Sequence, residues 1–134
     1  MNMSLPRLSG IDHIHVYVRS WSNAESWYQR VLGFRRVEKF MVWAVENGPL
    51  TIEDPTGTVH LALFEKEEPP GDSAIAFGAS GEQFVGWKNH LEALGLELRI
   101  ADHALMWSLY FKDPDDNLLE ITTGDYDYVT EQLT

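Results

Sequence analysis

His13, His60 and Glu120 are the residues of this chain whose types and placing suit a metal ion. Each stands inside a run that reads as a strand: Asp12-His13-Ile14-His15-Val16, Val59-His60-Leu61-Ala62-Leu63 and Leu118-Leu119-Glu120-Ile121-Thr122. Two neutral imidazoles and a carboxylate leave positions open on a divalent ion, so that iron(II) can take up both a substrate and dioxygen. Manganese, nickel or zinc in the same place would act as a Lewis acid. A lone histidine in a strand is more often an ordinary surface or core residue than a ligand. Weight therefore falls on how the three are placed relative to one another.

They fall at nearly matching points of a repeat. Gly33, in Val31-Leu32-Gly33-Phe34, lies 27 positions before His60, and Gly95, in Ala93-Leu94-Gly95-Leu96, lies 25 before Glu120. Both glycines follow a β-like run and then a helical pattern, so one module of about 60 residues is used twice. In the first, Ile14, Val16 and Val18 alternate with His13, His15 and Tyr17, which predicts a strand with the histidines on one face. Ser22-Asn23-Ala24-Glu25 has capping-box form ahead of a helix carrying Trp27, Tyr28, Val31 and Leu32, with Gly33 as its left-handed stop. Strands are expected at about 34–39, 41–46 and 58–65, with a turn at Asn47-Gly48-Pro49 and a loop over 50–57.

A charged, proline-bearing link, Glu65 to Asp72, leads to the second module. A strand over Ser73–Gly78, a cap at Ser80-Gly81-Glu82-Gln83, a helix over Phe84–Leu94 and strands near 97–101, 107–112 and 117–123 are expected there. The chain thus reads as one α+β domain over residues 1–134, built of modules 10–65 and 73–123. Residues 124–134 form an acidic tail, frayed or packed on a partner.

Bulk properties exclude several classes. Neither half of 134 residues buries enough apolar surface alone, so the modules share a core. With no cysteine, any metal is held by nitrogen and oxygen. A net charge of -11 repels a phosphate backbone, which argues against nucleic acid as a partner. No apolar run reaches the length of a membrane span, and the first six residues lack the form of a signal peptide, which points to the cytoplasm.

From residue 10 to 123 the chain resembles the vicinal oxygen chelate superfamily, which includes glyoxalases, bleomycin-resistance proteins and extradiol dioxygenases. The resemblance rests on Ile11-Asp12-His13-Ile14-His15-Val16, on Trp27-Tyr28 with Val31-Leu32-Gly33-Phe34, and on Tyr110-Phe111-Lys112-Asp113-Pro114-Asp115-Asp116-Asn117-Leu118-Leu119-Glu120. It implies two βαβββ modules whose mixed sheets cup, barrel-like, around a metal, with His13, His60 and Glu120 as ligands. It also implies a homodimer. Two departures stand out. Ala74 occupies the place where many members carry a histidine on the first strand of the second module, and Asp116 stands where the turn customarily has glycine.

The resemblance further implies a metal-dependent enzyme that chelates vicinal oxygens of a small substrate. The two-histidine, one-carboxylate count favours Fe2+ or Mn2+ over Ni2+ or Zn2+, and a ring-cleaving dioxygenase over a glyoxalase-like lyase or isomerase. Tyr110, ten residues before Glu120, and His103, seven before Tyr110, are the candidate catalytic residues for donating to a bound oxygen and moving a proton. His15, Trp43 and Trp107 are candidates for the substrate cavity. The competing expectation is a metal-free binder that sequesters a cationic drug, suited by the acidic balance and five tryptophans.

Overall fold

The computed structural model describes residues 5–134. The chain runs β1 (Ile14–Val18), α1 (Trp21–Leu32), β2 (Arg35–Arg36), a 3₁₀ segment (Glu38–Trp43), β3 (Pro49–Glu53) and β4 (His60–Glu65). It then repeats as β5 (Ala74–Gly78), α2 (Gly81–Ala93), β6 (Arg99–Asp102), β7 (Trp107–Lys112) and β8 (Leu118–Thr123), and closes with α3 (Tyr126–Leu133). The strands form two four-stranded mixed sheets, ordered β1-β4-β3-β2 and β5-β8-β7-β6. In each, the first strand pairs parallel with the last and the other pairings are antiparallel. The expected pair of βαβββ modules is therefore present, as two separate sheets rather than a closed barrel.

Helix α1 buries Ala24, Trp27, Tyr28, Val31 and Leu32, the i, i+3, i+4 spacing of a core-facing stripe. Complete burial of a side chain such as Val31 contributes about 1.5–3 kcal/mol. The helix starts two residues earlier than the capping-box pattern suggests: Ser20 is the cap, its hydroxyl accepting from the Asn23 amide at 3.3 Å. Gly33 ends it at φ 75°, where a residue without Cβ meets no steric penalty. Helix α2 is capped by Ser80, which accepts from the Gln83 amide.

Three segments depart from the sequence expectation. The segment Glu38–Trp43 forms a 3₁₀ turn, which cuts the strand expected over 34–39 to Arg35–Arg36 and replaces the one expected over 41–46, because the consecutive apolar residues Phe40-Met41-Val42-Trp43 do not discriminate between periods. Residues 50–57 are not all loop, since Pro49–Glu53 is β3; β2 pairs only with Ile52 and Glu53, so the edge beside Pro49 needs no amide. The tail forms α3, which fully buries Val129 and lets Thr130 accept from the Trp107 indole at 2.9 Å.

One core joins the modules. Trp27 and Phe34 of the first meet Phe111 and Phe77 of the second. His90 of α2 lies 2.9 Å from the Val31 carbonyl; since a carbonyl only accepts, the ring Nε2–H donates and ties α2 to α1. The Tyr28 hydroxyl donates to Asp113 Oδ2 at 2.7 Å in a buried setting, and burial together with that carboxylate raises the phenol's pKa well above its ordinary value.

Replacing Tyr28 by Phe strips a buried, charged acceptor of one donor, and a loss of about 1.5–3 kcal/mol is expected. Urea unfolding should show it as a lowered midpoint at unchanged slope. Asp116 sits at φ 66°, where glycine is unpenalised. Asp116→Gly should gain roughly 0.5 kcal/mol, the left-handed penalty of about 1–2 kcal/mol less the added chain entropy of about 0.5–1 kcal/mol; the same urea titration reads it as a raised midpoint.

Candidate functional site

The outward faces of the two sheets carry different chemistry. On the first, Glu53 of β3 pairs in register with His60 of β4, and β1 pairs with β4 starting at Ile14 opposite Leu61, so His13 immediately precedes the first rung. On the second, Ala76, Glu120, Tyr110 and Arg99 form one continuous row across β5, β8, β7 and β6. These registers correct the equivalence read from spacing. His15 pairs with Ala62 as Ala76 pairs with Glu120, so Ala62 holds the place that corresponds to Glu120, and His60 lies two residues before it on the strand.

His13 and His60 line a common cavity of about 720 Å³ together with Asp12, Glu53, Phe40 and Trp43. Nδ1 of His13 is 2.9 Å from Asp12 Oδ1, and its Nε2 is 3.2 Å from Nε2 of His15. The two rings stack at 5.1 Å, and His15 in turn leans on Phe64. Nε2 of His60 lies 3.1 Å from Glu53 Oε1, with both side chains about a quarter exposed. Phe40 and Trp43 stack at 4.6 Å, giving the cavity a flat aromatic shelf that Lys39 overhangs.

Glu120 is placed elsewhere. Its carboxylate accepts from the Ser108 hydroxyl at 2.8 Å, and it lines neither this cavity nor the one of about 460 Å³ beside Arg99, Tyr110 and Lys112. The strand of the second sheet that borders His13 and His60 is β5, which offers them Ala76 and Gly78. Among the described residues, no three His, Asp or Glu side chains are gathered closely enough to hold an ion as they stand. The structure thus brings together His13 and His60, and leaves Glu120 apart from them.

Tyr110 and His103 do meet, the phenol oxygen lying 3.0 Å from His103 Nε2, with the Arg99 guanidinium 4.2 Å over the tyrosine ring. Trp43 stands at the cavity. Trp107 does not, because it stacks on Tyr126 and donates to Thr130 beneath α3. Glu53 escapes a sequence reading that assigns 50–57 to a loop; the apolar Leu50 and Ile52 alternating with Thr51 and Glu53 are the signal that reveals it.

The sequence profile of the Glyoxalase/Bleomycin resistance protein/Dioxygenase superfamily matches residues 10–121, and the chain belongs to that superfamily. No curated protein matches it in sequence. Among solved structures it is similar to an integron cassette protein, HFX_CASS4, from the mobile metagenome of the Halifax Harbour sewage outfall, at 20% identity and TM-score 0.74 over 87% of this chain and 99% of that one. It is also similar to lactoylglutathione lyase from Agrobacterium tumefaciens, at 22% identity and TM-score 0.72 over 90% and 97%. A third is a mutant form of the genomically encoded fosfomycin resistance protein FosX from Listeria monocytogenes, complexed with Mn(II) and 1S,2S-dihydroxypropylphosphonic acid, at 18% identity and TM-score 0.70 over 93% and 99%. At these identities the likeness is one of fold. Among the described residues, no helix is long and apolar enough to cross a membrane.

Asp54 holds the turn that sets Glu53 against His60, accepting from the amides of Thr58 and Val59 at 2.9 and 2.8 Å and from the Thr56 hydroxyl. Burial opposes its ionisation, but these hydrogen bonds outweigh burial and hold its carboxyl below the ordinary value. A lowered pKa makes the stabilisation complete at neutral pH and loses it as pH falls through the folded value. Asp54→Asn should therefore melt below wild type at pH 7, with the gap closing on acidification.

Proposed function

We propose that the chain is a divalent-metal-dependent enzyme that acts on a small oxygenated molecule in the cavity over the first sheet. The observation that carries this reading is the convergence of His13 and His60 on one cavity, with the Nδ1 of His13 already engaged by Asp12. A carboxylate on one ring nitrogen orients an imidazole for ligation through the other, which here faces Nε2 of His15 at 3.2 Å, a contact an ion would replace. Two imidazoles are donors of the right type for a divalent ion although, among the described residues, no third donor is gathered with them, and FosX of the same fold has been crystallised with Mn(II). When bound, such an ion supplies Lewis acidity to substrate oxygens.

The protein's own groups supply the rest. The Phe40–Trp43 shelf takes the flat face of a substrate, while the Tyr110–His103 pair on the second sheet lies outside that cavity and would serve only a substrate bound there. Ring-cleaving dioxygenation is the reaction we favour for this donor set, and glyoxalase-like proton transfer is the alternative. We further propose a homodimer, supported by the exposed Leu5, Leu8 and Ile11 of the N-terminal arm and the exposed Ala74, Ala76 and Gly78 of β5.

A second reading, metal-free sequestration of a planar cation, is favoured by one feature: the aromatic shelf shares its cavity with Asp12 and Glu53. Elemental analysis of protein purified without chelator separates the two. About one divalent ion per chain, lost in the His13→Ala/His60→Ala variant, is expected under the enzyme reading. Negligible metal in both, with an aromatic cation quenching tryptophan fluorescence, would favour sequestration. Metal-loaded protein should turn over catechols at an oxygen electrode or hemithioacetals by absorbance, and light scattering should return twice the chain mass.

A further inference from the structure

We propose that the second sheet carries a binding site for a small organic carboxylate, built from Arg99, Lys112 and Tyr110. The site is the cavity of about 460 Å³ beside β6 and β7, separate from the one that His13 and His60 line, and it does not depend on the metal reading. Arg99 of β6 pairs in register with Tyr110 of β7, and Lys112 stands two residues further along β7, so all three project from one face. Diagonal neighbours on paired strands are about 7–8 Å apart, a gap that long side chains span. Arg99 and Lys112 are such a pair, and they can close on one small anion.

The guanidinium is already held in place. It lies 4.2 Å over the Tyr110 ring, and that ring is fixed in turn by the 3.0 Å contact of its hydroxyl with His103 Nε2. A guanidinium presents its donors as a rigid planar fork that matches the two oxygens of a carboxylate, and a neighbouring lysine adds a mobile point charge. Among the described residues neither Arg99 nor Lys112 enters an ion pair, even though Glu97 borders the same cavity. Both cations are therefore free to take a ligand.

The walls indicate what else the ligand carries. Leu98 and Leu118 are half-buried and line the cavity beside the two cations. An apolar body next to the charged end gains from that contact, whereas inorganic phosphate meets only the cations. The chain's net charge of -11 repels anions at long range, so a site for one needs this local gathering of positive charge.

The test is NMR titration of the ¹⁵N-labelled full-length protein with sodium benzoate, sodium acetate and inorganic phosphate, each with and without chelator. Ionic strength is held constant so that screening does not imitate a change in affinity. Benzoate should shift the Arg99, Tyr110 and Lys112 amides saturably, more tightly than acetate or phosphate and equally in both conditions. Arg99→Gln should weaken it at least about tenfold, the scale of a lost hydrogen bond to a charged group. Lys88→Gln, on α2 and paired with Glu92, should leave it within about twofold. Arg99 is exposed, so its variant should melt with wild type. Phosphate binding as tightly as benzoate overturns the carboxylate class. Benzoate shifts that centre on His13 and His60, or vanish with chelator, place the carboxylate on a metal and overturn the site, as does an unchanged affinity in Arg99→Gln or saturable binding of none of the three.

Discussion

A buried carboxylate is tolerated only where donors surround it, and Asp113 collects four. Its Oδ1 accepts from the amides of Asp115 and Asn117 at 2.8 and 3.0 Å, and its Oδ2 from the Tyr28 hydroxyl and the Asn117 side-chain amide at 2.7 and 2.8 Å. Asn117 passes the constraint on, donating to the Tyr17 carbonyl and accepting from Ser73. One carboxylate therefore fixes the β7–β8 turn of the second module to the helix and first strand of the first. The Arg19 amide adds a further tie through Asp115. Charge-assisted bonds of this kind are about twice as strong as neutral ones, so this turn adds a directional tie to the apolar core that the modules share.

With that placing fixed, duplication of the backbone has not duplicated the chemistry. The first sheet carries imidazoles and a carboxylate around an aromatic shelf, and the second carries the Tyr110, His103 and Arg99 group with Glu120 in the adjoining row. Ala62 and Ala76 are small where the opposite module carries Glu120 and His15. Each module has thus kept what the other lacks.

Much of the fold is legible in the sequence because its signals are periodic. The Ile14, Val16, Val18 alternation, the Trp27 to Leu32 stripe and Gly33 each specify one local conformation, and β7 lies at its expected bounds of 107–112. The 3₁₀ segment is not legible, since Phe40 to Trp43 is apolar at every position and carries no period. Pro49 and the turn residues around it conceal β3, and with it Glu53. The acidic tail reads as frayed or packed on a partner, whereas Tyr126, Val129, Thr130 and Leu133 share one helical face that closes over Trp107 and α2 of its own chain. The equivalence of His60 with Glu120 fails for a different reason: spacing along the chain counts residues, whereas cross-strand register decides which side chains correspond.

An anomalous difference map from crystals grown with Mn(II) tests the central claim most directly, because it locates the ion without relying on loss of function. The account predicts a peak over the first sheet, in contact with His13 and His60. A peak remote from both histidines, or none at saturating Mn(II), would contradict it.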